Sequence, residues 1–217
     1  MTMTEGPHGR QRNAGIDTII FDLGGVLIDW NPRHLYRKLF GADHEAMEWF
    51  LAHVCSPEWN LQQDAGRPWR EAIAEAQARH PEHATLVSAY RERWEETLGG
   101  AIDETVALLA ELRDEPVRLL ALTNWSAETF PIGHRRFPFL DWFEGIVVSG
   151  EEKLVKPDRA IYELLLRRYE VVPERAVFID DSEANVVGAR QAGLHAIRFR
   201  DPATLRRELA AFGLLAA

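Results

Sequence analysis

Residues 16–31, IDTIIFDLGGVLIDWN, are the stretch that most constrains the fold of this chain. They begin with an apolar, β-branched run, Ile19 to Phe21, which is typical of a buried strand. The run ends in Asp22, and an unpaired charge is costly to bury in a core. Ligands of open α/β sheets bind outside the carboxyl ends of the strands, so this position favours a functional site. Gly24 and Gly25 follow, and they allow the backbone to bend and to approach a ligand closely.

A long helical segment follows this strand. Between residues 32 and 98, apolar residues recur at helical spacing and no strand-like alternation interrupts them. The recurring residues are Leu35, Tyr36, Leu39, Phe40, Met47, Phe50, Leu51, Val54, Leu86, Ala89, Tyr90 and Trp94. Gly99-Gly100 closes the segment. The pattern predicts an all-helical insertion over residues 32–98, and its place directly after the first strand suggests a lid.

The rest of the chain alternates between strands and helices. Strands are predicted over residues 117–122, 145–148, 176–179 and 196–199, and helices over 102–112, 160–169, 186–192 and 202–212. Such alternation predicts an α/β fold with a doubly wound parallel sheet. We therefore divide the chain into a flexible tail (1–15), an α/β core (16–31 and 99–217) and a helical cap (32–98).

The composition limits which molecules the protein is expected to bind and where it is expected to reside. The net charge of −9 makes a nucleic-acid backbone an unsuitable partner, and no apolar run reaches the roughly 18 residues of a membrane span. The single cysteine, Cys55, excludes an internal disulfide and suits a reducing compartment. The first 15 residues lack an apolar signal core. We expect a cytoplasmic protein with a small-molecule substrate; the oligomeric state is left open by the sequence.

Three aspartates, Asp22, Asp180 and Asp181, fall at the ends of predicted strands. If those strands are adjacent, the carboxyl groups meet in one cleft, where they raise one another's pKa unless a cation is present. Magnesium is a hard ion that binds oxygen ligands, usually one or two carboxylates plus a substrate phosphate. The pattern predicts a Mg²⁺ site with Asp22 and Asp181 as ligands and Asp180 as a weaker one. The alternative is that the Asp180-Asp181 pair caps the following helix.

Two further segments carry polar groups that suit an anion. Thr123 and Asn124 follow the strand VRLLAL, where a hydroxyl and free backbone N–H groups would bind phosphate, or would cap a helix instead. Lys156 lies in LVKPDRAIY; alone it would be an ordinary surface lysine. Beside the acids, its ammonium would neutralise the nucleophile and the phosphate oxygens.

The segments FDLGG, LTN, KPD and IDDSEAN, in this order, resemble the four motifs of the haloacid dehalogenase-like hydrolase superfamily. The resemblance covers nearly all of the chain beyond the first 15 residues, and the insertion resembles the helical cap that this superfamily places after its first motif. It implies a Rossmann-like core. It also implies roles for individual residues: Asp22 as nucleophile, Thr123 as phosphate ligand, Lys156 as charge-stabilising lysine, Asp181 as magnesium ligand, and Asp180 and Asn185 as support.

In this family the cap selects the substrate. The candidates here are Trp59, Gln63, Asp64 and Arg67 in the predicted loop EWNLQQDAGRPW, with ordinary cap packing as the alternative. Trp30 and Trp125 flank two motifs and would line the cleft or pack in the core.

The chain departs from the family pattern at Gly24. Most phosphatases of the family have a second aspartate there as general acid–base; the backbone carbonyl, which serves them as a metal ligand, is retained. Either water or a cap residue protonates the leaving group, or the enzyme is slow, or the reaction needs no such proton, as in dehalogenation. Metal-independent dehalogenases of the family have an aromatic residue at this position and an arginine about 30 residues beyond the nucleophile, and this chain has no arginine between Arg37 and Arg67.

A subgroup of bacterial sugar-phosphate-type phosphatases resembles this chain more closely than the dehalogenases do, and its first motif also has glycine at this position. The prediction is therefore a magnesium-dependent phosphatase that forms an aspartyl-phosphate on Asp22, with Lys156, Thr123 and the amides near Asn124 and Trp125 holding the phosphate oxygens. The alternatives are a metal-independent 2-haloacid dehalogenase that uses Asp22, and a phospholigand-binding protein with little catalysis. All three readings require Asp22 to lie near Lys156 and Asp181.

Overall fold

The structure is a computed structural model that describes residues 15–216. The predicted flexible tail, apart from Gly15, lies outside the described residues. The strands are β1 (Thr18–Phe21), β2 (Ile28–Trp30), β3 (Leu98–Ala101), β4 (Arg118–Thr123), β5 (Gly145–Val148), β6 (Ala176–Asp180) and β7 (His195–Arg198). The helices are α1 (Arg33–Phe40), α2 (His44–His53), α3 (Pro57–Asp64), α4 (Trp69–Arg79), α5 (Ala84–Glu92), α6 (Asp103–Leu112), α7 (Phe130–Arg136), α8 (Ser149–Glu152), α9 (Arg159–Arg168), α10 (Glu183–Gln191) and α11 (Pro202–Ala211).

Five strands form a parallel sheet in the order β5-β4-β1-β6-β7, with β1 at its centre. The three central strands are apolar runs, as expected for strands that are buried on both faces. Phe21 of β1 pairs with Ala121 on one side and with Ile179 on the other. This register places the residues that follow these positions, including Asp22 and Asp180, at one edge of the sheet.

Helices cover both faces of the sheet because side chains alternate along each strand. Ile19 and Phe21 belong to one apolar cluster, which also takes in residues of α6 and α11. Ile20 belongs to a second cluster that includes residues of α9 and α10. The predicted α/β, doubly wound parallel sheet is therefore confirmed.

Residues 33–97 contain the five helices α1 to α5 and two short 3₁₀ helices, without a strand. Their aromatic side chains pack against one another, with Tyr90 contacting the rings of Tyr36, Trp59 and Trp69. That this helical segment acts as a substrate-selecting cap stays a prediction. Of the helices in residues 15–216, none combines the length and the apolar character needed to cross a bilayer.

Two details of this region differ from the prediction. Most of the predicted loop EWNLQQDAGRPW is helical, because Ser56 caps α3 by accepting a hydrogen bond from the Trp59 amide and Pro57 starts its first turn. The antiparallel pair β2–β3 was not predicted. It is short, it contains Gly99 and Gly100, and its strands are separated by the whole helical segment, so no local periodicity indicates it.

Candidate active site

Asp22 lies at the carboxyl end of the central strand β1, and its side chain is mostly buried, with 7% of the residue exposed. Its Oδ1 accepts a hydrogen bond from the Leu23 amide at 2.7 Å. The same oxygen lies 2.9 Å from Nζ of Lys156. The side chain therefore points towards Lys156, as the predicted site requires.

Lys156, in the turn before α9, is 2% exposed, so its ammonium is held inside the protein. Nζ contacts Asp180 Oδ2 at 2.7 Å as well as Asp22. Asn124 anchors the backbone of this lysine: its side chain donates to the Lys156 carbonyl at 3.0 Å and accepts from the Lys156 amide at 2.9 Å. The structure thus places the Asn124 side chain as the support of Lys156, a contact that the sequence did not indicate.

Asp22, Asp180 and Asp181 each offer a carboxylate oxygen, and these oxygens lie within 4.8 Å of one another. Burial, followed by the neighbouring charges of Asp180 and Asp181, raises the pKa of Asp22 against the opposing effect of Lys156. Burial and Asp180 likewise raise the pKa of Asp181. Burial lowers the pKa of Lys156, but Asp22 and Asp180 outweigh it and the net shift is upwards. Three carboxylates beside one ammonium give the site a net negative charge, which a further cation would balance.

Asp180 is fully buried and its two oxygens are saturated with donors. Oδ1 accepts from the Ser182 amide at 2.8 Å and from the Asn185 side chain at 3.0 Å. Oδ2 accepts from Lys156 at 2.7 Å. The Asn185 side chain donates to both oxygens of Asp180 and so supports this carboxylate.

The loop after β1 carries the two glycines. The hydrogen bonds that close it, Gly25 N to Ile28 O (2.8 Å) and Ile28 N to Leu23 O (2.9 Å), do not use the Gly24 carbonyl. Gly25 has a φ of 76°, and a Cβ placed on it would lie 2.6 Å from Asp181 Oδ2. Glycine at this position therefore allows the loop to pass close to the carboxylates.

A small cleft opens beside these residues. Its lining residues are Gly24, Trp30, Asn60, Asp64, Trp94, Thr123, Asn124, Trp125 and Thr129. Both tryptophans that flank the sequence motifs thus reach the cleft. Asn60, Trp94 and Thr129 were not predicted. Asn60 lies in the segment EWNLQQDAGRPW but was not singled out there, and Trp94 and Thr129 belong to no motif.

One predicted donor is corrected by the structure. The Trp125 backbone N–H donates to Ser149 Oγ at 2.9 Å, so it is not available to hold a phosphate oxygen. Thr123, by contrast, lines the cleft at the end of β4.

Three of the predicted substrate contacts lie elsewhere. Trp59 and Gln63 are buried in α3, where the Gln63 side chain donates to the Trp59 carbonyl. The Arg67 guanidinium contacts Gln62 and Glu75. The structure therefore brings Trp125 and Asp64 to the cleft wall, but not these three side chains.

Comparisons with known proteins relate the chain to a family of enzymes. The family model described as haloacid dehalogenase-like hydrolase matches residues 16–193. A sesquiterpene phosphatase of Aspergillus oryzae is 27% identical over 88% of this chain and 93% of its own length.

Solved structures show the same fold. A haloacid dehalogenase family enzyme of Bacteroides thetaiotaomicron, solved with magnesium and inorganic phosphate, superposes with a TM-score of 0.66 at 25% identity, over 86% of this chain and 95% of that one. A dehalogenase superposes with a TM-score of 0.67 at 19% identity, over 91% of this chain and 98% of that one, which is evidence of a shared fold alone.

Proposed function

The chain belongs to the haloacid dehalogenase-like hydrolase family, and from this premise we propose that it is a magnesium-dependent phosphatase acting on a small phosphate monoester. The observation that carries the proposal is the contact of Asp22 Oδ1 with the buried ammonium of Lys156 at 2.9 Å, beside two further carboxylates. This arrangement supplies a nucleophile, a fixed positive charge and oxygen ligands for a cation in one place.

In the proposed reaction, Asp22 attacks phosphorus and forms an aspartyl-phosphate while the bond to the leaving oxygen breaks. Asp22 Oδ1 is held by Leu23 and Lys156, so we assign the attack to Oδ2. Lys156 and the Thr123 hydroxyl stabilise charge on the phosphoryl oxygens. Water then attacks phosphorus, releases inorganic phosphate and restores the Asp22 carboxylate.

The donor set fits magnesium. Asp22, Asp181 and the Gly24 carbonyl would hold the ion, with Asp180 behind them, since oxygen ligands with negative charge are those that magnesium prefers. When bound, the ion would offset the repulsion among the carboxylates and draw charge from the phosphoryl group. The Bacteroides thetaiotaomicron enzyme, which was solved in complex with magnesium and inorganic phosphate, supports the choice of magnesium as the ion.

The wall of the cleft suggests what the phosphate is attached to. Three tryptophan side chains, those of Trp30, Trp94 and Trp125, line it, and no lysine or arginine occurs among its described lining residues. We propose that the organic group is apolar and uncharged. The substrate class in the name of the sesquiterpene phosphatase relative is consistent with this proposal.

Magnesium removal provides the direct test. We expect the protein to release phosphate from 1-naphthyl phosphate in magnesium, and to lose about 10²-fold or more of that rate in excess chelator, because the site then lacks its main electrostatic stabilisation. Adding magnesium should also raise the melting temperature, since an ion that binds only the folded state stabilises it.

The same assay separates the alternatives. Gly24 supplies no acid, which favours a reaction that needs no proton, so halide release from 2-chloropropionate is measured in parallel. Chelator-insensitive halide release would replace the phosphatase by a dehalogenase. Tight phosphate-ester binding without turnover would indicate a binding protein. Against a dehalogenase, three aspartates would repel the carboxylate of a haloacid.

Gly25→Ala tests the geometry of the metal site. We expect the variant to weaken magnesium affinity by about 10-fold or more, because the new Cβ would displace the Asp181 carboxylate. Gly41→Ala is a matched control: Gly41 also has a positive φ, 60°, but its Cβ would meet nothing within 4 Å. Both variants should lose about 1–2 kcal/mol of stability from backbone strain. Equal magnesium affinities, read by calorimetry, would contradict the assignment of Asp181.

A further inference from the structure

Asp64 lines the cleft, and it does not belong to the cluster of Asp22, Asp180 and Asp181. It is the last residue of α3, is half-buried, and lines the same space as Gly24 and Thr123. The mechanism described above gives it no task.

The position of Asp64 is held by contacts from both the helical segment and the core. The Asn60 side chain donates to Asp64 Oδ2 at 2.9 Å. Ser149 Oγ donates to the Asp64 carbonyl at 2.6 Å and accepts from the Trp125 amide, so it joins the end of α3 to the loop after β4. These contacts hold the end of α3 and the Asp64 carboxyl group in place on the wall of the cleft.

The chemistry of the site requires a proton donor. An alkyl phosphate releases an alkoxide, which leaves slowly unless it is protonated as the bond breaks. Asp22 is the nucleophile, Asp180 is saturated by Lys156, Asn185 and the Ser182 amide, and Asp181 belongs to the proposed metal set. Asp64 is the only acid among the described residues that line the cleft beside these three aspartates.

Its environment suits that task. Burial raises the pKa of Asp64 to about 7, while a hydrogen bond from the Ser126 amide and the charge of Lys156 act in the opposite direction. The Tyr90 phenol on α5 also faces it, and burial keeps the pKa of that phenol well above its usual value. A carboxyl group that titrates near neutral pH can both donate and accept a proton during turnover.

We propose that Asp64 is the catalytic acid–base of the reaction, an inference that rests on the proposed phosphatase function. In the first step, the bond from Asp22 to phosphorus forms, the bond from phosphorus to the leaving oxygen breaks, and the Asp64 proton passes to that oxygen to give the alcohol. In the second step, the Asp64 carboxylate takes a proton from the water that attacks phosphorus. Phosphate leaves, and Asp22 and protonated Asp64 are restored.

The test is the dependence of rate on the leaving group. Asp64→Asn should lower kcat/KM for an alkyl phosphate such as hexyl phosphate by about 10²-fold or more, and for 2,4-dinitrophenyl phosphate by only about threefold, because dinitrophenolate leaves without a proton. Asp64→Glu should recover part of the alkyl activity. Glu58→Gln, which removes an exposed carboxylate from the same helix, should change neither rate.

The pH profile gives a second readout. Because Asp64 must be protonated to act as the acid, wild-type kcat/KM for hexyl phosphate should fall as the pH rises through about 7. The alkaline limb should be absent in Asp64→Asn. Since the folded state holds the Asp64 proton more tightly than the unfolded chain, the melting temperature of Asp64→Asn relative to wild type should rise between pH 4 and pH 8.

The outcomes separate the two proposals. A wild-type protein that releases no phosphate even from 2,4-dinitrophenyl phosphate would overturn the phosphatase function itself. If the wild type is a phosphatase, but Asp64→Asn lowers kcat/KM for both substrates by the same factor or for neither, the role of Asp64 alone would be overturned. A melting curve of each variant establishes that it is folded.

Discussion

Asp22→Asn should reduce phosphate release by about 10³-fold or more, because the amide is a poor nucleophile and the covalent step depends on the carboxylate. The effect should fall mainly on kcat. The magnesium-dependent binding of inorganic phosphate should weaken less, because the new amide keeps one oxygen ligand for the ion and because Asp181, Thr123 and Lys156 are all retained. Incubation with a phosphate ester should trap no phosphate on the variant, whereas the wild-type protein should show a transient increase of one phosphoryl group by mass spectrometry.

The matched control is Asp17→Asn, which changes the same functional group next to the opposite end of the same strand. Asp17 pairs with Arg175 at the surface, where ion pairs contribute little, so its activity should stay near that of wild type. Asp22→Asn should not be less stable than wild type, because burial raises the pKa of the Asp22 carboxyl and its charge is therefore costly. An Asp22→Asn protein with undiminished turnover would remove the covalent mechanism.

Lys156→Met should cause the largest loss of stability, about 3–5 kcal/mol, because removing one partner of a buried ion pair leaves uncompensated charge. Nζ contacts both Asp22 and Asp180, so its loss leaves three carboxylates within 4.8 Å of one another. Without the ammonium, repulsion among the carboxylates would raise the pKa of Asp22 and of Asp181 further. The deficit should therefore shrink as the pH falls and they become protonated, and magnesium should raise the melting temperature more in this variant than in wild type.

Activity should fall as well, by about 10²-fold or more, since the fixed ammonium stabilises the phosphoryl charge. Lys153→Met is the matched control: the same change is made three residues earlier, at an exposed lysine. Chemical denaturation of the two variants at pH 5 and pH 8, with and without magnesium, measures the difference. Equal stabilities at pH 8 would show that Lys156 does not balance the carboxylates.

The sequence predicted the sheet because the signal is local. Each of the three central strands is a short apolar run with a polar residue at or just beyond its end, and a parallel sheet brings such ends to one edge. For this reason the sequence predicted that Asp22 lies close to Asp180 and Asp181, although more than 150 positions separate them. Lys156 does not follow a strand, so the prediction that it lies in the site depended on the resemblance of KPD to a family motif.

The predicted contacts that the structure places elsewhere concern which partner a group binds. Trp59 and Gln63 have the chemistry of substrate contacts, but α3 turns them into the helical segment. The Trp125 amide follows a strand end, where it could donate to an anion, but it donates to Ser149 Oγ instead. Such contacts depend on side chains from elements distant in sequence, and sequence periodicity does not indicate them.

By itself, the amino-acid sequence determined the order of strands and helices, the parallel sheet and the aspartates at its edge, since backbone periodicity and residue chemistry act over a few neighbouring positions. Only the tertiary structure decided that Asn124 holds Lys156, that Asn185 holds Asp180 and that Asp64 faces the cleft. A hydrogen bond needs its two atoms within about 3 Å, and only the packing of the helical segment against the core brings these groups to that distance.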